Sequence, residues 1–162
     1  MRRLLVGLLV GALLLAAAPS VVAKSGSPTP ASGVWSWVTT AWDPYKESGG
    51  NTFSLGSENA TWTGTFKGSS VDTFRVVGHR NGALWATLDI AFDGSVGGKV
   101  GTLDMMAVAR WPVGAETMTG TWVIIGGTGE LASLHGQGTW TYTGTVGDVN
   151  SGDYAGMVKF GP

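Results

Sequence analysis

From Gly33 onward, apolar and polar residues alternate with a period of two, and each alternating stretch is interrupted by Gly, Asp, Asn or Pro. Ala60, Trp62, Gly64 and Phe66 alternate with Thr61, Thr63 and Thr65. Met118, Gly120, Trp122 and Ile124 alternate with Thr117, Thr119, Thr121 and Val123, and Gly138, Trp140 and Tyr142 with Thr139, Thr141 and Thr143. Successive side chains of a strand point to opposite faces, so each stretch predicts a strand with aromatics on one side and threonines on the other. Thr, Val, Trp and Tyr suit such a pleated surface. No stretch of helix length beyond the first 23 residues carries a 3.6-residue apolar stripe.

Reading the interruptions as turns predicts eight strands, near 34–42, 52–66, 70–79, 83–92, 98–111, 116–125, 136–143 and 152–160. Asn81-Gly82 and Asp93-Gly94 are hairpin signals. Short connections between consecutive strands make an antiparallel meander. An aromatic face must be buried, and closing the meander into an eight-stranded barrel buries it and removes the sheet edges. A flat two-sheet sandwich is the alternative. Gly64, Gly120, Gly138 and Gly156 fall on the aromatic face, where a narrow lumen cannot take a large side chain at every level.

The first 23 residues stand apart. Arg2 and Arg3 precede the apolar run Leu4–Ala18, and Pro19–Ala23 is a small-residue region, the layout of a secretory signal peptide cleaved after Ala23. Its apolar core predicts a helix. An uncleaved anchor is the competing reading, because Leu4–Ala23 nearly reaches spanning length. Lys24–Ser32, rich in Ser, Pro and Gly, reads as a disordered linker, and residues 33–162 as one barrel domain. The expected location is secreted, periplasmic or otherwise extracytoplasmic, with no membrane association after cleavage.

Composition narrows the function by exclusion. Loss of Arg2 and Arg3 leaves eight Lys or Arg against eleven Asp or Glu, a scattered and weakly acidic set that offers no footprint for nucleic acid. There is no Cys, hence no disulfide, thiolate nucleophile or Cys-ligated metal. His79 and His135 lack flanking ligand spacing, and Asp148–Asp153 carries Gly and Asp in the wrong order for a calcium loop, so no metal is expected. Asn59-Ala60-Thr61 is a glycosylation sequon on the outward parity.

Gly127-Thr128-Gly129-Glu130-Leu131-Ala132 satisfies the dinucleotide-binding spelling, with Asp148 about twenty residues on. That site needs a parallel strand–helix–strand crossover of a dozen or more residues. Here about ten residues separate Ile125 from the next alternating strand, so the segment reads as a tight turn, and no cofactor is expected. The stretch "GGTGELASLHGQGTW" instead resembles the Gly-rich join between late strands in barrels of the allene oxide cyclase and dirigent type. It is most similar to a bacterial family of domains of unknown function with the same barrel; Ala41-Trp42-Asp43-Pro44-Tyr45 resembles an early-strand motif of that family. The resemblance implies an eight-stranded meander barrel, often dimeric. It implies no reaction. Allene oxide cyclases use a short set of polar pocket residues including a Glu near the first strands, for which Glu58 is the only and a loose candidate; their other pocket residues, and the acidic and Arg groups of dirigent-type pockets, have no matched positions here.

Eight tryptophans mark the chain. Trp62, Trp122, Trp140 and Tyr142 share the inner parity and are the expected lining of any lumen pocket. Alternation from Ala60 and Met118 turns Glu58 and Glu116 inward, and Asp72 and Arg80 share parity with Phe74 and Val76. The function expected is a non-enzymatic binder of a small hydrophobic or aromatic ligand, or an interaction module working as a homodimer through its Thr-rich face. The alternative is a cofactor-free cyclase or isomerase, in which shape, water exclusion and one or two of these acid–base groups suffice.

Overall fold

The computed structural model describes residues 26–161, and the segment read as a signal peptide lies outside them. Eight antiparallel strands run in chain order: β1 (Thr29–Ser48), β2 (Asn51–Gly64), β3 (Phe66–Gly78), β4 (Leu84–Val96), β5 (Lys99–Trp111), β6 (Thr119–Gly127), β7 (Leu134–Val146) and β8 (Val149–Phe160). Each pairs with its chain neighbours, and β1 pairs with β8, so the meander closes into a ring and the sandwich alternative falls.

The alternation sets the two faces. Trp62, Trp122, Ile124 and Trp140 are buried inside, while Thr61, Thr63, Thr119, Thr121, Thr139 and Thr141 are exposed outside. Where a large ring lies over the neighbouring strands of the sheet, those strands supply glycine. A methyl group on Gly138 or Gly156 would run into the Trp122 indole, on Gly120 into that of Trp140, and on Gly56 into the Phe74 ring. Glycine is what lets those aromatics lie over the neighbouring backbone.

Two expectations are corrected. The linker reading of Lys24–Ser32 fails from Thr29 onward, because Thr29–Ser32 pair with Val158–Ala155 of β8 and already belong to β1. This strand is offset: only Gly33–Trp37 has partners on both sides, its start pairing with β8 and its end with β2. Pro30 and Pro44 therefore sit in singly paired stretches, Pro44 beside a register shift, where a missing N–H leaves no gap in a ladder. Asp93-Gly94 is not a turn either. Strand β4 runs through it to Val96, with Gly94 packed on Gly68 of β3, and the chain reverses at Gly97 and Gly98, both at positive φ.

One end of the ring is solid. Phe66, Phe92, Val96, Leu103, Leu131 and Leu134 are almost fully buried there. Leu131 belongs to a single 3-10 turn, Gly129–Leu131, within the Gly-rich segment. Thr128 donates from its backbone N–H to the Thr102 carbonyl (2.9 Å), and Glu130 accepts from the Val100 N–H (3.0 Å), tying the turn across β5. The dinucleotide spelling thus serves as a plug: its glycines clear room for the chain, and its leucine fills the lumen.

Candidate functional site

The opposite end holds a cavity of about 160 Å³. Offset β1 supplies Trp35, Trp37, Thr39 and Trp42, and β2 supplies Glu58. Phe74 and Val76 come from β3, Leu84, Ala86 and Leu88 from β4, Ala109 and Trp111 from β5, and Trp140 from β7, with Met118 preceding β6. The indoles stand as walls at an angle to one another. Trp37 and Trp140 are nearly perpendicular (87°, centroids 6.1 Å apart), and Trp35 meets Trp140 at 75° and 5.4 Å. Behind them Trp35 stacks on Trp62 (10°, 5.1 Å), which joins the cup to the solid half of the core.

Glu58 is the one ionisable residue in this lining. It stands directly opposite Asp72 in the β2–β3 register, and both side chains point inward; Glu58 is 4% exposed and Asp72 0%. Burial, reinforced by the neighbouring Asp72 charge, raises the Glu58 carboxyl to about 8. Burial likewise raises Asp72 to about 7, although Ser70 and the Trp35 indole draw it back toward ionisation. Neither of the two closes a hydrogen bond of good geometry on it: both Asp72 oxygens, Glu58 Oε1 and Trp35 Nε1 are buried without partners. Ser70 Oγ accepts from Trp62 Nε1 at 2.9 Å, leaving its own proton free to turn toward Asp72. At neutral pH the pair therefore keeps at least one proton, and Glu58, the stronger holder, is the carboxyl that meets the cavity.

The sequence-derived candidates divide into three groups. Glu58 and Trp140 line the cavity, and Asp72 backs Glu58. Trp62 and Trp122 are inside but belong to the packed half, Trp62 against Phe66, Phe92 and Tyr154, and Trp122 against Phe66. Tyr142 is half-buried at the rim beside Trp37 and Trp111, its hydroxyl bonded to Thr145. Arg80 and Glu116 are corrections. Both are exposed, Arg80 in the turn after β3 with its stem against Gly50, and Glu116 in the connection before β6. Inward parity fails once the chain leaves the strands: past Gly78 it does not reach Arg80, and ahead of Thr119 it holds for Met118 but not for Glu116. Trp35, Trp37, Trp42 and Trp111 are lining residues that alternation alone did not single out.

A closed antiparallel ring with one plugged end and one aromatic cup defines the class of this protein by its fold. Among solved structures, it is similar to a protein of unknown function from the DUF3224 family of Shewanella oneidensis. The TM-score is 0.67 at 17% identity, covering 84% of this chain and 99% of that one. It is also similar to the pterocarpan synthase dirigent protein GePTS1 (TM-score 0.53, 14% identity, 92% of this chain and 100% of that one). The dirigent protein PsPTS1, another pterocarpan synthase, gives 0.50 at 14% identity, covering 85% and 97%. The likeness to a domain-of-unknown-function family with a dirigent-like fold, first read in the Gly-rich segment, thus extends over the whole ring as a likeness of fold. No family model matches the chain, and no curated protein matches its sequence.

Proposed function

We propose that the protein is a small-molecule binder whose ligand places an apolar body among the indoles of the cup and one polar group on Glu58. The observation that carries this reading is the cavity itself, about 160 Å³ of space walled by five tryptophans in a ring whose other end is filled. An apolar cavity of about 150 Å³ accommodates a benzene-sized molecule, which sets the scale of the buried part. A single convergent polar group in an otherwise apolar pocket is the usual arrangement for orienting a ligand. The signal-peptide pattern of the first 23 residues supports an extracytoplasmic setting for this activity.

Because Trp35, Trp37 and Trp140 line the cup, a ligand entering it perturbs intrinsic fluorescence. Titration with a panel of small phenols, lactones and fatty acids should give saturable quenching with some members, and Trp37→Ala should abolish it. Flat titrations across the panel, with the emission unchanged by Trp37→Ala, would remove the binding reading.

A second reading, a cofactor-free cyclase or isomerase of the dirigent type, draws support from Glu58, a buried acid holding its proton at the cavity wall with a second carboxyl behind it. Such a pair supplies general acid–base catalysis near neutral pH. An enolisable ketone incubated with the protein in D2O should then exchange its α-protons faster than buffer allows, an acceleration lost in Glu58→Gln. Exchange at the buffer rate eliminates this reading and leaves binding alone.

A further inference from the structure

We propose that the aromatic cup takes a small organic ammonium ion, its charge shared between the faces of Trp35, Trp37 and Trp140 and the Glu58–Asp72 carboxyl pair; this rests on the reading of the cup as a binding site. Two independent observations converge on it. Indole is the best of the aromatic faces for a cation, and boxes of such rings recognise quaternary ammonium groups. In the cup the Trp140 indole stands at 75° to Trp35 and 87° to Trp37, which are tilted by 37° to each other, so the three rings wall the cavity from different directions.

The second observation is a carboxyl pair that has no counter-charge. Every Lys and Arg among the described residues is exposed, and the ion pair between Arg75 and Asp89 lies on the outer face. Around the two carboxyls, β1 presents Trp35, Trp37 and Thr39, β2 presents Ala60 and Trp62, β3 presents Ser70 and Phe74, and β4 presents Leu88 and Ile90. None of these carries charge. Asp89 and Asp93 of β4 point outward. Farther round the lumen the inward titratable groups are the phenols of Tyr142 and Tyr154, the latter engaged with the Thr63 carbonyl and the Phe66 N–H.

Three of the four carboxyl oxygens have no donor. A neutral acceptor on the ligand would accept a hydrogen bond from protonated Glu58 and leave those oxygens as they are. A cation answers the pair by attraction to its negative charge and, where it carries N–H groups, by direct donation to Glu58, the carboxyl that meets the cavity. Occupancy should therefore drive a proton off the pair, since an adjacent positive charge favours the ionised carboxyl.

Calorimetric titration of the intact protein tests this with isosteric probes: choline against 3,3-dimethylbutan-1-ol, and benzylammonium against benzyl alcohol. At pH 8.5 each ammonium should bind at least about tenfold more tightly than its alcohol. The ammonium affinity should fall at least about tenfold at pH 6.5, where the carboxyls hold their protons. At pH 7, heats measured in buffers of different ionisation enthalpy should show proton release for the ammonium ions and none for the alcohols. In Glu58→Gln, with folding checked by far-ultraviolet dichroism, the ammonium-to-alcohol ratio should collapse toward one and the proton release should disappear. Alcohols binding as tightly as the ammonium ions, with no proton release, would overturn the inference and leave the cup as a neutral-ligand site. No binding by any of the four probes at millimolar concentration overturns the inference, and the fluorescence panel then decides whether the binding reading survives it.

Discussion

Taking the protein from pH 5 to pH 9 should lower its unfolding free energy by about 4–7 kcal/mol, measured from urea denaturation midpoints across that range. The cause is Glu58 and Asp72. In the unfolded chain both ionise near 4, whereas in the ring Glu58 holds its proton to about 8 and Asp72 to about 7, burial being the larger cause for each. A carboxyl whose folded value is raised binds more protons when native than when unfolded. Its contribution is fully present below the unfolded value and is lost as pH rises through the folded one. The window of loss is therefore about 4 to 8, opposite in sign to a salt-bridged acid. Glu58→Gln should flatten most of this slope and raise stability at pH 9, because the amide keeps the shape and removes the charge that burial disfavours. Stability that is level or rising over the same range would mean that the two carboxyls are already ionised at pH 5 in the folded protein.

Trp62→Ala should lower stability by about 3–5 kcal/mol, the range for deleting a large buried aromatic, and the same denaturation curves would show it. Trp62 touches both halves of the molecule: its ring stacks on Trp35 of the cup and meets Phe66, Phe92 and Tyr154 of the plugged end. Its Nε1 also donates to Ser70, so truncation leaves a buried hydroxyl without its donor. For a domain whose total stability is of order 5–15 kcal/mol, that is a large share. Trp42 offers the contrast. It is 54% exposed at the mouth, and Trp42→Ala should cost less than about 1 kcal/mol while still altering the cup. A cost for Trp62→Ala no larger than that for Trp42→Ala would show that the aromatic stack does not unite the core.

Much of this architecture is legible in the chain because alternation is a local property. Thr139-Trp140-Thr141 states which side is wet, whatever its neighbours do, and Glu58 and Asp72 could be turned inward on the same ground. Their meeting was not legible. It depends on the register of β2 against β3, set by the tight reversal between Gly64 and Phe66, which brings position 58 opposite 72. Trp35 and Trp37 were obscured differently. Both faces of that stretch are apolar, since Val34 and Val38 lie outside at 37% and 38% exposure, so the pattern there does not say which side is in. Thr29–Ser32 misled through composition: Ser, Pro and Thr read as a tether, but a singly paired strand tolerates them. Asp93-Gly94 misled through chemistry that is turn-like in isolation. Its glycine serves instead to let two backbones touch at Gly68.

The seam between β1 and β8 carries a consequence for biosynthesis. The eighth strand is the one that seals the first, so a chain lacking it cannot finish the ring, however long it waits. A nascent or truncated chain ending before Val149 exposes unpaired backbone on both β1 and β7, and two such chains offer each other the partner each lacks. The interval before β8 emerges is thus when the ring is most open to self-association.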